Sequence, residues 1–392
     1  MTNMNSKFFA AVGVLIGLII GAGVLGIPYV VAKAGFWTGV IIIVFLGLTS
    51  LLMNLYLGEI TLRTKGIHQL PGYVGKYLGK PGKYLMSIAL LMTAYGALTS
   101  YLIGEGQAWG AIFHVNPFYP MIIFFLLMSI PVYFGLKLIK PLEIIINSLV
   151  VLVIAGIAFF ALPSMSISNL SGFDAAKLII PYGVVLFAFG GFAAIPDLRV
   201  ILDKDKKLLK KCIITGSLIP LILYIIFAAS VVGVTGSQTT ELATIGLGNI
   251  VGEHMVLLGN LFAAFAMSTS FLLLSLAILW LYTLDYKIQK NFAFLLTLSF
   301  PLAIVLLNFA SFVQIIGITG AIAGGVESIL IILTHRAAQK NSQRNPEYSI
   351  KNRLWLSISL ILFISLVCSH YYFNFVLCKS RNLYILPLAP II

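Results

Sequence analysis

Apolar residues in this chain come in long unbroken runs, with polar residues gathered between them. The runs fall at about 8–33, 36–62, 84–110, 119–136, 141–162, 179–200, 212–234, 252–283, 291–309, 314–335 and 352–376. Each lasts roughly 20 residues, the length a helix needs to cross a bilayer core. They are continuously apolar rather than alternating, which excludes a membrane β-barrel. The pattern predicts an all-α integral membrane protein with about eleven transmembrane helices, forming one transmembrane domain over 1–392. The first run passes through Pro28 towards Ala34 with no small-residue cleavage signature, so it reads as a span and not as a secretory signal peptide.

Composition agrees. The chain is 60% hydrophobic and 9% charged, with mean hydropathy +1.05, whereas about a quarter of a soluble protein's residues are charged. When the connecting loops are placed alternately on two sides, all but four of the 25 Lys and Arg share one side. The exceptions are Lys33, Lys177, Lys379 and Arg381. The positive-inside rule then puts the N-terminus in the cytoplasm, and an odd span count puts the C-terminus outside. The net charge of +13 is thus a topological signal, with a weak attraction to anionic membrane lipid, and not a nucleic-acid footprint. The cytoplasmic loop 65–83 is rich in Gly and Pro. It reads as a connector with a short interfacial helix, and it lacks the glycine-rich phosphate loop signature. Cys212, Cys368 and Cys378 form no metal-type pair, and the five histidines are scattered without ligand spacing. No cofactor motif is present, and no grouping suits an intramembrane enzyme.

One feature of the first run is costly in lipid. GLIIGAGVLGIPYVV (17–31) places Gly21, Gly23, Gly26 and Pro28 in mid-membrane. The sixth run repeats it as AFGGFAAIPDL (188–198): Gly23 matches Gly191, Ile27 matches Ile195 and Pro28 matches Pro196, both reading G-x-x-x-I-P. Five spans separate the copies, so they cross the membrane in opposite directions. This predicts an inverted repeat, about 8–162 and 179–335, with an extra helix at about 352–376. Paired Gly/Pro-interrupted segments in two halves point to a transporter's binding site. Glycine permits unusual backbone angles and proline leaves a carbonyl unpartnered. Unwinding there frees amides that favour an anion and carbonyls that favour an ammonium or a small cation. An α-amino acid fits both.

GLIIGAGVLGIPYVVAKAGF (17–36) and VVLFAFGGFAAIPDL (184–198) resemble the first- and sixth-helix motifs of amino acid permeases in the amino acid–polyamine–organocation superfamily. The resemblance is nearest to the amino acid/auxin permease and hydroxy/aromatic amino acid permease branches. It implies a LeuT-type five-plus-five inverted repeat with discontinuous helices 1 and 6, working by alternating access on a sodium or proton gradient. By that resemblance, the amides of Ala22 and Gly23, beside Gly21, would hold the substrate carboxylate. The carbonyls of Ile19, Phe187 and Gly190, beside Gly191, would hold the ammonium, and Phe187 would cover the site. The sequence departs from many members in having Ala193 where they place a glutamate. In sodium-coupled relatives two hydroxyls of helix 8 join helix-1 carbonyls around the ion. Here Thr269 and Ser270, next to Ser268, would be those ligands, with carbonyls near Gly17 and Ile20. Span 5 lacks the lysine of some proton-coupled relatives.

Acids inside a membrane are candidates for function by default. Glu59 stands four residues before Arg63 and reads as a structural ion pair. Glu105, Asp197 and Glu327 are the candidates for coupling or gating, with Asp197 beside Arg199 near the cytoplasmic side. Thr93, Tyr95, Gly96 and Thr99 of span 3 lie near mid-depth, and Tyr95 and Thr99 are taken as substrate-site residues. No acid stands at a pocket position that would select a basic side chain. The sequence therefore predicts a multi-pass transporter of the cell membrane for neutral, large hydrophobic or aromatic amino acids. A carrier of another small organic solute and a non-transporting sensor of the same fold are the alternatives. Oligomeric state is left open by the sequence.

Overall fold

The computed structural model describes residues 2–134, 152–308 and 310–351. The eleventh run (352–376), most of the fifth, Cys368 and Cys378 lie outside the described residues. Among those residues the chain is helical, without strands. It comprises α1 (Thr2–Ile19), α2 (Gly23–Ala34), α3 (Phe36–Arg63), α4 (Leu70–Phe113), α5 (Phe118–Phe134), α6 (Leu152–Ser164), α7 (Tyr182–Ala188), α8 (Ile195–Leu202), α9 (Leu209–Thr235), α10 (Ala243–Val251), α11 (Glu253–Trp280), α12 (Lys290–Leu306), α13 (Phe312–Thr319) and α14 (Gly325–Lys340).

By length and composition, six helical segments among the described residues are able to cross a membrane, and a seventh arises if α1 and α2 are one bent span. α5, α6 and α12 are shorter apolar helices at the fourth, fifth and ninth runs. α10, a buried connector, went unpredicted. The short helix expected within loop 65–83 is present from Leu70, and a kink at Gly79 (φ 73, ψ −169) sets it off from the rest of α4.

Both predicted interruptions are present. α1 ends at Ile19 and α2 begins at Gly23, with a bend of 53° between them. α7 ends at Ala188, a single 3-10 turn covers Phe192–Ala194, and α8 follows. A third irregularity lies in the tenth run, where the π-helical turn Gly320–Gly324 joins α13 to α14.

Elements of the first five runs pack on elements of the sixth to ninth: α1 on α8, α2 on α7, α3 on α9, α4 on α11 and α5 on α12. The large buried side chains Tyr56, Tyr182, Tyr224, Phe189, Phe227, Phe271 and Phe312 fill the spaces between them.

The C-terminal end of α3 is a hub. Arg199 of α8, only 7% exposed, donates to the carbonyls of Thr61, Gly66 and Thr64 and to the Tyr73 hydroxyl. A planar guanidinium serves several carbonyls at a helix C-terminus, where the dipole also favours a cation. Asp197 is exposed two residues away. The predicted ion pair of Glu59 with Arg63 is present at 2.7 Å. It belongs to a larger set: fully buried Glu59 also faces His335 Nε2 at 3.0 Å and accepts from Ser349 Oγ, Gln339 Nε2 and the Ile350 amide. The Tyr348 hydroxyl donates to the Leu55 carbonyl at 2.7 Å. Span 2, span 10 and the strap 342–351 are thereby tied to one carboxylate.

Removing one partner of such a set leaves the others buried without a counter-charge. Glu59→Ala is expected to lower stability by about 3–5 kcal/mol, with a smaller loss for Glu59→Gln. Thermal unfolding in detergent measures both.

Candidate functional site

The two interruptions meet. A Cβ on Gly23 would stand 2.7 Å from Cα and Cβ of Ala188, and one on Gly191 would stand 2.6 Å from Cγ1 of Ile19. Each glycine is therefore the space into which the other interrupted segment packs. The backbone pairing follows from this contact. The Gly21 amide turns back to the Ile19 carbonyl at 3.0 Å, and the Gly190 amide to the Phe187 carbonyl at 3.0 Å. The Tyr224 hydroxyl lies 2.7 Å from the Ile19 carbonyl and 2.9 Å from that of Ala188. One phenol thus bridges the last carbonyls of α1 and α7, with its ring against Phe189 at 5.0 Å.

The amides of Ala22 and Gly23 have no backbone acceptor among the described residues, and both residues are buried. They open α2, where free amides and the helix dipole favour a negative group. Phe187 is half-buried. Its backbone and Cβ are approached by Gly320, where an added Cβ would lie 2.7 Å from the Phe187 amide nitrogen. Gly190 is exposed between buried neighbours. A narrow cleft alongside is lined by Ile20, Gly21, Ala22, Val24, Leu25, Phe262 and Ala266, with no room for a water molecule. Its walls are apolar and uncharged.

The structure separates the remaining candidates. Tyr95 directs its hydroxyl to Tyr282 (2.7 Å) and the Leu296 carbonyl (3.1 Å), and Thr99 bonds back to the Tyr95 carbonyl. Both hydroxyls are engaged away from the breaks. The three span-8 hydroxyls diverge. Ser268 donates to Glu105 at 2.7 Å, Thr269 bonds back to Phe265 and Ala266, and Ser270 pairs with the Tyr101 hydroxyl. Back-bonding of this kind is the ordinary use of hydroxyls in a helix. Gly17 is half-buried in α1, and the Ile20 amide donates to the Ile16 carbonyl at 2.8 Å. Glu105 is fully buried and also accepts from Trp109 Nε1 at 3.0 Å. Glu327 is 4% exposed and accepts from Thr93 at 2.7 Å. Through neutral donors, Glu105 thus ties α4 to α11 and Glu327 ties α14 to α4.

Two residues of the site escaped the sequence reading. Tyr224 had one signal, a lone hydroxyl in the apolar run LILYIIF, which must find a partner in lipid. Tyr101, whose hydroxyl lies 3.5 Å from where a Gly21 Cβ would be, had none beyond its place in span 3.

The chain is similar to known amino acid transporters. The chain is 25% identical to Glutamine transporter 2 of Aliivibrio fischeri, over 81% of this chain and 86% of the relative. It is 26% identical to Tyrosine-specific transport system 1 of Haemophilus influenzae, over 67% and 70%. It is 24% identical to the Tryptophan-specific transport protein of Shigella flexneri, over 86% and 88%. The sequence profile of the tryptophan/tyrosine permease family matches residues 4–370. This multi-pass membrane protein belongs to the tryptophan/tyrosine permease family.

Proposed function

We propose that the chain is a secondary active transporter that moves neutral amino acids across the cell membrane by alternating access. The reading includes the amino acid–polyamine–organocation superfamily and a LeuT-type five-plus-five inverted repeat. It also includes eleven helices, a cytoplasmic N-terminus and an outer C-terminus. One observation supports it above the rest. Two helix breaks touch at Gly23, Ala188, Ile19 and Gly191, with the amides of Ala22 and Gly23 free of backbone acceptors on one side and the terminal carbonyls of α1 and α7 on the other. The Ala22 and Gly23 amides take the carboxylate. The carbonyls of Ile19, Phe187 and Gly190 take the ammonium, and the apolar walls take the side chain. A substrate needs the cleft wider than it is here, so opening of the breaks belongs to the cycle. The relatives named above are described as transporters of glutamine, tyrosine and tryptophan, all with neutral side chains, which supports the uncharged pocket.

Coupling is assigned to protons through Glu327 and Glu105. Both are buried carboxylates that accept hydrogen bonds from neutral donors, Thr93 for Glu327 and Trp109 and Ser268 for Glu105, and an uncompensated charge is costly in a bilayer. A sodium site at Thr269 and Ser270 is the second reading. It is favoured by their place one turn beyond Ala266, which lines the cleft.

Uptake into proteoliposomes tests the whole reading. Labelled aromatic and other neutral amino acids are expected to accumulate under an inward proton gradient, and lysine and glutamate are not. Absence of uptake by folded protein under either a proton or a sodium gradient would overturn it. Glu327→Gln is expected to abolish the pH dependence of uptake, whereas Thr269→Val with Ser270→Ala leaves transport independent of sodium, as in the parent. Loss of sodium-driven uptake in the double variant would instead establish the second reading. Tyr224→Phe removes the one donor shared by the two breaks, a loss of about 1–3 kcal/mol. The uptake rate is expected to fall about tenfold or more, with the variant still folded by its melting curve.

A further inference from the structure

The Lys-rich end of the molecule holds a second cavity that shares no residue with the helix breaks. It measures about 280 Å3, and His68, Lys76, Lys80 and Lys83 line it. Its shape comes from the bend in α4. Gly79, at φ 73, adopts a conformation that L side chains resist. Residues 75 and 83 would stand about 12 Å apart along a straight helix. Here a Cβ on Gly75 would lie 3.0 Å from Cβ of Lys83, so the bend folds the lysine stems towards one cleft.

Charge in the cleft is uncompensated. Positions 60–104 contain no Asp or Glu. Among the described residues Lys76, Lys80 and Lys83 form no ion pair with a carboxylate. Lys76 Nζ spends one of its three donors on the Lys65 carbonyl at 3.2 Å. Three ammonium groups around a cavity of this size suit a phosphate-bearing anion.

A further observation identifies the carrier of the phosphate. Immediately beyond Lys83, Tyr84 (59% exposed), Leu85, Ile88 and Met92 form an exposed apolar stripe at helical spacing along α4. An acyl chain fits such a stripe, while a free phosphate has no use for it. We propose that this cleft is a binding site for the headgroup of an anionic phospholipid, with the acyl chain lying along Tyr84, Ile88 and Met92.

Native mass spectrometry of the full chain, released from micelles supplemented with phosphatidylglycerol or phosphatidylcholine, tests this. The parent protein is expected to retain phosphatidylglycerol in preference to phosphatidylcholine. Lys76→Gln with Lys80→Gln and Lys83→Gln is expected to bind it about a hundredfold more weakly, and each single substitution about fivefold more weakly. The singles keep the test valid should the triple variant fold poorly. Lys206→Gln with Lys207→Gln and Lys210→Gln, at the same end but outside the cleft, is expected to leave retention unchanged. An equal loss in that control, or full retention by the triple variant, would overturn a discrete site. Displacement of the lipid by millimolar inorganic phosphate, itself bound with the same lysine dependence, would keep the phosphate site but overturn the lipid as its occupant.

Discussion

A helix that breaks inside a membrane must find partners for the backbone groups it releases, because hydrocarbon offers none. The rest of this structure depends on how that demand is met. α1 and α7 end next to each other, and a single hydroxyl, that of Tyr224, lies within hydrogen-bonding distance of the terminal carbonyls of both. A phenol has one proton, so it satisfies the two carbonyls by sharing and leaves acceptor capacity at the junction. On the opposite side, two amides at the start of α2 keep their donors. Polar capacity of both signs is thereby held within an apolar shell, the arrangement that small-molecule sites use for orientation and specificity.

The buried carboxylates show how context divides one chemistry into different tasks. Glu59 is surrounded by Arg63, His335 and hydrogen-bond donors, and it fastens spans 2 and 10 to the strap 342–351. Glu105 and Glu327 accept from Ser268, Trp109 and Thr93, and they join α4 to α11 and to α14. A carboxylate with several charged and polar partners resists change. One held by a few neutral donors is able to follow the movement of the helices it joins. Arg199 adds to the fixed end by binding the carbonyls that close α3, so the second half of the sixth span is tied to span 2.

Much of the architecture was legible because the bilayer simplifies the code. Long apolar runs give helices, Gly and Pro in mid-run give interruptions, and the pairing of Gly23 with Gly191 located the junction. Local spacing was also reliable where the interaction is local, as for Glu59 and Arg63 at four residues. It failed where partners are distant in sequence. His335 and Ile350 approach Glu59 from nearly three hundred residues away, and Tyr224 approaches Ile19 from a different span. The three adjacent hydroxyls 268–270 read as one cluster. They point to three different partners because successive helix positions turn by about 100°.

The sequence by itself determined the membrane-helical class, the place of both breaks and the residue types exposed by them, since these follow from hydropathy and from the backbone limits of glycine and proline. The tertiary structure alone decided what each freed group meets. It set Ala188 against Gly23, chose Tyr224 as the shared donor, turned Tyr95 and Thr99 away, and folded the Lys-rich start of α4 around a cavity. Those outcomes depend on distances between helices remote in sequence, which are fixed only when side chains of both halves pack together.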